Sequence, residues 1–174
     1  MTVTNVQKDP ENLTLTITSQ FSASVDEVWQ LWDDPRLLEQ WWGPPGYPAT
    51  VLEHDLRAGG ALRYHMRLPD GERAGGWWRV IGVDAPHHLE FENGVGEMPP
   101  TSGRSAMTIR VAIVPLDDSH TEMTIMTTYE SLGAMTEFVE MGMAEGMSAA
   151  VGQIDVLLDQ VRASSKHPAA EAGA

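Results

Sequence analysis

Residues 50 to 129 read as short alternating runs cut by turn signals, and one long apolar stripe at helical spacing follows them; no other feature restricts the fold as much. Ala58-Gly59-Gly60, Pro69-Asp70-Gly71, Asp84-Ala85-Pro86, the stretch from Asn93 to Gly103 and Asp117-Asp118-Ser119 each place turn-tolerant residues between β-like runs. Within those runs Leu62, Tyr64, Met66 and Leu68 alternate with Arg63, His65 and Arg67, and Met107, Ile109, Val111 and Ile113 alternate with Thr108, Arg110 and Ala112. A period of two gives each strand one apolar and one wet face. The apolar face must be covered, and the stripe Met147, Val151, Ile154, Leu158 and Val161, within a helix expected from Met135 to Val161, is long enough to cover it.

The rest of the chain fits this plan. Leu13, Leu15 and Ile17 alternate with threonines and lead to Phe21, a first strand. Ser24 with Glu27 has capping-box spacing, and Val25, Val28, Trp29 and Trp32 continue it as a short helix. Asp34-Pro35 interrupts, Leu37, Leu38, Trp41 and Trp42 resume a helical face, and Gly43-Pro44-Pro45-Gly46 stops it. Gly142 and Gly146 weaken the first half of the last helix, so a break near Gly142 is expected. The fold class is therefore α+β: about seven antiparallel strands, curved around a long C-terminal helix, with two short helices after the first strand. It forms one domain over residues 11–163, and residues 1–10 and 164–174 are expected to be mobile ends.

Phe21-Ser22-Ala23-Ser24 into Val28-Trp29, Trp41-Trp42-Gly43-Pro44, Asp55-Leu56-Arg57-Ala58-Gly59-Gly60, Gly76-Trp77-Trp78, Thr121 and Glu145-Gly146 carry a resemblance to the START/Bet v 1-like (SRPBCC) superfamily. Within it the chain is most similar to the branch related to the C-terminal domain of the heat-shock-protein-90 ATPase activator. The resemblance implies a helix-grip fold and a ligand cavity; it also brings in polyketide cyclase or dehydratase chemistry and chaperone ATPase regulation as further functions. The sequence departs from that branch at Val80, where a glutamate is often found, and at Met147, where a bulky aromatic often stands.

Charge removes one class of partner. With 25 acidic against 11 basic residues, a formal charge of -14 repels a phosphate backbone, so nucleic acid is not an expected partner. No run is long and apolar enough for a membrane span, and a cytoplasmic location is expected. With no cysteine the fold rests on packing. No phosphate loop, nucleophile elbow or metal motif occurs, so neither a cofactor nor a metal is expected, and Asp33-Asp34 and Asp117-Asp118 read as helix-end and turn residues.

The candidate site is an apolar pocket between sheet and helix, holding a small apolar or amphipathic molecule. Its expected lining is Trp42, Tyr64, Met66, Trp78, Met107, Met123, Ile125, Met141 and Glu145, with the opening near Trp42 and the methionine-rich start of the last helix, because unbranched thioethers repack around varied shapes. Trp78 is expected inside beside Val80 and Trp77 outside with Arg79. No catalytic residue is expected; His54, the one histidine with any such claim, reads first as a satisfied core or rim histidine, sharing parity with Leu52 and Leu56, while the opposite parity would put Val51, Glu53 and Asp55 inside.

Overall fold

The computed structural model describes residues 3–96 and 107–165. Its elements are β1 (Val3–Asp9), β2 (Thr14–Phe21), α1 (Val25–Asp33), α2 (Pro35–Trp42), β3 (Ala49–His54), β4 (Ala61–Arg67), β5 (Arg73–Asp84), β6 (His88–Val95), β7 (Met107–Pro115), β8 (Thr121–Tyr129), α3 (Leu132–Glu140), α4 (Met143–Val151) and α5 (Ile154–Ser165). The strands form one antiparallel sheet in the order β1-β2-β8-β7-β6-β5-β4-β3. Bulges between Val51 and Glu53 and between Val80 and Gly82 bend it. Among the described residues no helix is long and apolar enough to cross a membrane.

The described sheet has eight strands, because residues 3–9, expected as a loose end, pair with β2 as an edge strand. Their side chains are mostly exposed, so backbone pairing rather than an apolar pattern holds them, and alternation could not reveal them. Residues 166–174 lie outside the described residues.

Local chemistry accounts for the tandem helices. The Ser24 hydroxyl accepts from the Glu27 amide while the Glu27 carboxylate accepts from the Ser24 amide, completing the capping box. Asp34 ends α1 and starts α2, its carboxylate accepting from the Arg36 amide at 2.9 Å ahead of Pro35 at the first helical turn. Glu27 also ties α1 to α5: Arg162 Nε donates to it at 3.0 Å, and Arg162 Nη2 donates to the Ser22 carbonyl.

That tie has a pH signature. Arg162, chiefly through its hydrogen bond, holds the Glu27 carboxyl below its ordinary 4.5. A depressed carboxyl stabilises the fold above its unfolded value, and the contribution disappears as pH falls through the folded value. Because both side chains are more than a third exposed, screening limits the effect: Glu27→Gln should cost about 1 kcal/mol at neutral pH and progressively less as pH falls below the ordinary carboxylate range, read from urea unfolding across an acid pH series.

The C-terminal arm departs from one continuous helix. Gly142, with φ of 90°, ends α3 and caps α4, the break expected there. A second interruption at Gly152 and Gln153 was not legible. Here the Gln153 side chain donates to the Gly43 carbonyl at 2.8 Å and to the Trp41 carbonyl at 3.3 Å, so the arm is pinned to the end of α2. The arm does not cover the sheet alone: Trp32 of α1 and Trp41 and Trp42 of α2 are buried in the same core as Trp78, Phe91 and Ile109.

Candidate functional site

The inner side of the grip is an aromatic cluster. Trp32 lies at its centre, with ring centroids 4.8 Å from Trp41, 6.0 Å from Trp42, 5.9 Å from Trp78 and 6.4 Å from Phe91. Trp42 meets Trp78 edge-on at 4.9 Å and Tyr64 at 6.1 Å, and Trp78 stacks on Phe91 at 3.9 Å. Edge-to-face and offset stacking satisfy the ring quadrupoles and add to the apolar burial.

The register of β4 is the expected one: Leu62 and Tyr64 are buried and Arg63 and Arg67 exposed. Tyr64 therefore reaches inward. Its opposite residue, Gly76, leaves it room, since a Cβ there would lie 2.3 Å from the ring. Burial pushes the Tyr64 phenol above its usual range, the neighbouring Trp42 indole and the Asn93 amide opposing it, so it stays a neutral hydroxyl. Asn93 Nδ2 donates to the Tyr64 oxygen at 3.3 Å and to the Trp77 carbonyl at 3.2 Å.

Two donors in this cluster have no hydrogen-bond acceptor among the described residues. Nε1 of Trp42 and Nε1 of Trp78 are buried without a hydrogen bond, whereas Trp32 Nε1 reaches the Met123 sulfur at 3.3 Å and Trp41 Nε1 the Leu31 carbonyl at 3.0 Å. Trp42 Nε1 is directed at the Tyr64 hydroxyl and opposes the burial-driven rise of its pKa, at a geometry short of a full hydrogen bond, so Trp78 Nε1 is the donor with no acceptor in view. An indole N–H can only donate, so the inner wall presents unused donors.

The structure sorts the expected lining residues into three places. Trp42, Tyr64, Trp78, Met123 and Ile125 share the aromatic core, with Met66 packed at its edge. Met107 belongs to a second cluster with Leu15, Tyr129, Met135 and Ala144. Met141 and Glu145 are corrected: both are exposed, Met141 at 74 %, because the left-handed turn at Gly142 separates α3 from α4 and leaves each of them on the outside of the arm. The clefts described are not lined by Trp42 or Met141. One of about 440 Å³ runs between Phe21 and Leu158, with His120, Asp159 and Arg162, and another of about 490 Å³ opens beside Arg63, His65 and Arg73.

His54 follows neither simple parity. The bulge at Val51 to Glu53 shifts the phase, so Val51 is buried, Leu52 is 56 % exposed and His54 pairs opposite buried Leu62. Its Nε2 lies 3.0 Å from the Trp32 carbonyl, and since a carbonyl only accepts, Nε2 carries the proton and links β3 to α1. Trp77 also needs correction. It points outward as expected yet is 3 % exposed, because it lies over Gly94, where a Cβ would come within 2.0 Å of the indole, and the Arg79 guanidinium sits 5.3 Å above the ring. Asp117 is occupied within its own turn: the Ser119 amide foremost, then His120, hold its carboxyl down at about 2.

Phe91 and Asn93 were missed as site residues. The signal was present: Leu89, Phe91 and Asn93 keep a period of two, so a polar residue on the apolar parity of β6 marks an inward hydrogen-bonding group.

A curved antiparallel sheet gripping a helical arm, with tryptophans of two short helices wedged between them, defines the helix-grip class. The model of the family described as Activator of Hsp90 ATPase homolog 1-like protein matches residues 22–159, and the chain belongs to that family. A Mycobacterium smegmatis protein of known crystal structure is similar at 42 % identity and a TM-score of 0.82, over 91 % of this chain and 99 % of its own. An Arthrobacter aurescens protein solved by solution NMR is similar at 43 % identity and a TM-score of 0.84, over 91 % and 93 %. A Nitrosomonas europaea protein reaches 25 % identity and a TM-score of 0.75, over 87 % and 97 %. No functionally curated protein matches the chain.

Proposed function

We propose that the protein binds a small amphipathic molecule inside the grip, its apolar body against the aromatic cluster and its acceptor group on the indole N–H groups of Trp42 and Trp78. The observation that carries this reading is the pair of buried indole donors left unsatisfied among the described residues, Trp78 outright and Trp42 with only a poorly aligned Tyr64 hydroxyl. An unsatisfied buried donor costs roughly 1–3 kcal/mol, a penalty that phenylalanine at either position would avoid. Tyr64 extends the same surface: its oxygen already accepts from Asn93, so its hydrogen is left to donate. Three donors and no free acceptor select a carbonyl, ester, ether or carboxylate end over an amine or ammonium.

Native mass spectrometry of freshly purified protein tests the reading, and Trp42→Phe and Trp78→Phe supply the control. Each removes the N–H and part of the ring, so the lost packing and the relieved donor should offset to within about 1 kcal/mol of stability. A co-purifying small molecule on the parent protein that is lost from both variants is the expected result. If the parent carries none and a panel of aryl ketones and fatty acids fails to bind, the indoles are only a frustrated part of the core and the reading fails.

A further inference from the structure

A second site lies on the opposite, convex face of the sheet. Its starting point is a charge anomaly. Five of the eleven basic residues of this acidic chain, Arg63, Arg67, Arg73, Arg79 and Arg110, fall on the outward parity of β4, β5 and β7. Three are neutralised by a carboxylate on the neighbouring strand: Arg63 by Glu53 at 3.2 Å, Arg79 by Glu92 at 3.1 Å and Arg110 by Glu90 at 3.3 Å.

The remaining two are not. Arg67 and Arg73 are direct cross-strand partners, both exposed, and no carboxylate among the described residues pairs with either. Like charges placed opposite each other on an antiparallel pair destabilise it. In a chain with more than twice as many acidic as basic residues, two facing guanidiniums with no carboxylate paired to them among the described residues need an account.

The surface around them is shaped to receive something. Arg73 lines the cleft of about 490 Å³ with Arg63, Tyr64, His65 and Gly76, and Arg67, outside that lining, is its cross-strand partner. Gly75 stands opposite His65 and gives it no side chain to meet, and a Cβ there would crowd the Gly96 carbonyl at 3.2 Å. His65 Nδ1 is buried with no hydrogen-bond partner. The cleft and its edge thus combine exposed guanidiniums unpaired among the described residues, bare backbone and a flanking imidazole.

We propose that this convex cleft is an oxyanion site, in which Arg73 and Arg67 together bind a carboxylate or phosphate group of a small molecule and His65 flanks it. The planar guanidinium offers paired N–H groups matched to both anions, and one anion between two guanidiniums converts their repulsion into two attractions. The cleft also borders Tyr64 and Gly76, but neither Trp42 nor Trp78 lines it, so the anion site does not depend on the indole donors.

Calorimetric titration of the full chain with inorganic phosphate and, separately, with succinate tests it, against sodium chloride at equal ionic strength as the screening control. Saturable binding of one or both probes is expected, weakened roughly tenfold or more when Arg67→Gln and Arg73→Gln are combined, as for loss of charge-assisted bonds. Arg110→Gln, which removes an already paired arginine, should leave it unchanged. Preference for phosphate or for succinate then identifies which oxyanion the cleft takes. No saturable heat from either probe, an equal response to chloride, or undiminished binding by the double variant would overturn the proposal. The free protein gives an independent reading: Arg73→Glu should raise Tm by replacing repulsion with a cross-strand pair, and a fall in Tm would count equally against it.

Discussion

Trp32→Ala is expected to lower the unfolding free energy by about 3–5 kcal/mol, the range for deleting a large buried aromatic, read as a fall in the urea midpoint at constant slope. Trp32 is fully buried and touches four other rings, so its removal opens a void between α1, α2 and β5 that none of them can close without giving up its own stacking. Its N–H is matched to the Met123 sulfur and is lost together with the ring, which leaves no new orphan donor. Against a typical total of about 5–15 kcal/mol, the loss would bring the protein close to its folding threshold. Trp29→Ala provides the contrast: Trp29 is also buried, but it takes no part in the ring cluster, and its removal should cost less. A penalty for Trp32→Ala below about 1 kcal/mol would mean that the rings repack freely and do not form a rigid inner wall.

The sequence showed the frame of this molecule wherever periodicity and caps agree. The register of β4, the capping box at Ser24, the Asp34-Pro35 join and the break at Gly142 are local events, each governed by residues within a few positions of one another. What escaped depends on distant partners. β1 is polar on both faces and exists because β2 offers it backbone bonds. The second interruption of the arm depends on Gln153 finding carbonyls more than a hundred residues away. The parity of His54 stayed open in the sequence because a bulge is set by strand pairing and not by composition.

The candidate site shows the same division. Tyr64 and Trp78 were legible as inward because strand parity places them; adjacent Trp41 and Trp42 suggested one core residue and one lid, yet both are buried, and Met141, chosen for its chemistry, is exposed beside the turn at Gly142. The feature that distinguishes the inner wall, two indole donors left without a hydrogen bond among the described residues, has no trace in the sequence: Trp32 and Trp41 look no different there, yet both find acceptors. Arg63, Arg67, Arg79 and Arg110 were legible as outward-facing from strand alternation. Their unequal pairing depends on which carboxylates the neighbouring strands bring opposite, and a single strand read alone cannot show it.

Gly43→Ala is expected to cost about 3 kcal/mol, the upper end of overpacking penalties, although a single methyl is added and the backbone conformation suits any residue. Gly43 closes α2 with φ of -82°, so conformational freedom is not the reason for glycine. The reason is space. A Cβ would lie 2.1 Å from the Tyr47 carbonyl oxygen and 2.9 Å from the Ala49 amide nitrogen, and both are backbone atoms that cannot rotate away. Relief would have to come from moving the loop or the end of α2. The latter carries Trp42 and accepts the Gln153 bonds that pin the C-terminal arm, so the strain would reach both sides of the grip. Gly46, three residues on, separates the two possible roles of glycine. It has φ of 89° with nothing within 4 Å, so Gly46→Ala should cost only about 1 kcal/mol of left-handed backbone strain. Thermal unfolding followed by near-ultraviolet circular dichroism measures both, and Gly43→Ala should also weaken the tryptophan signal while Gly46→Ala leaves it intact. Equal costs for the two variants, or the larger one at Gly46, would show that the loop yields to a side chain at Gly43 and that the end of α2 is not held rigidly against the arm.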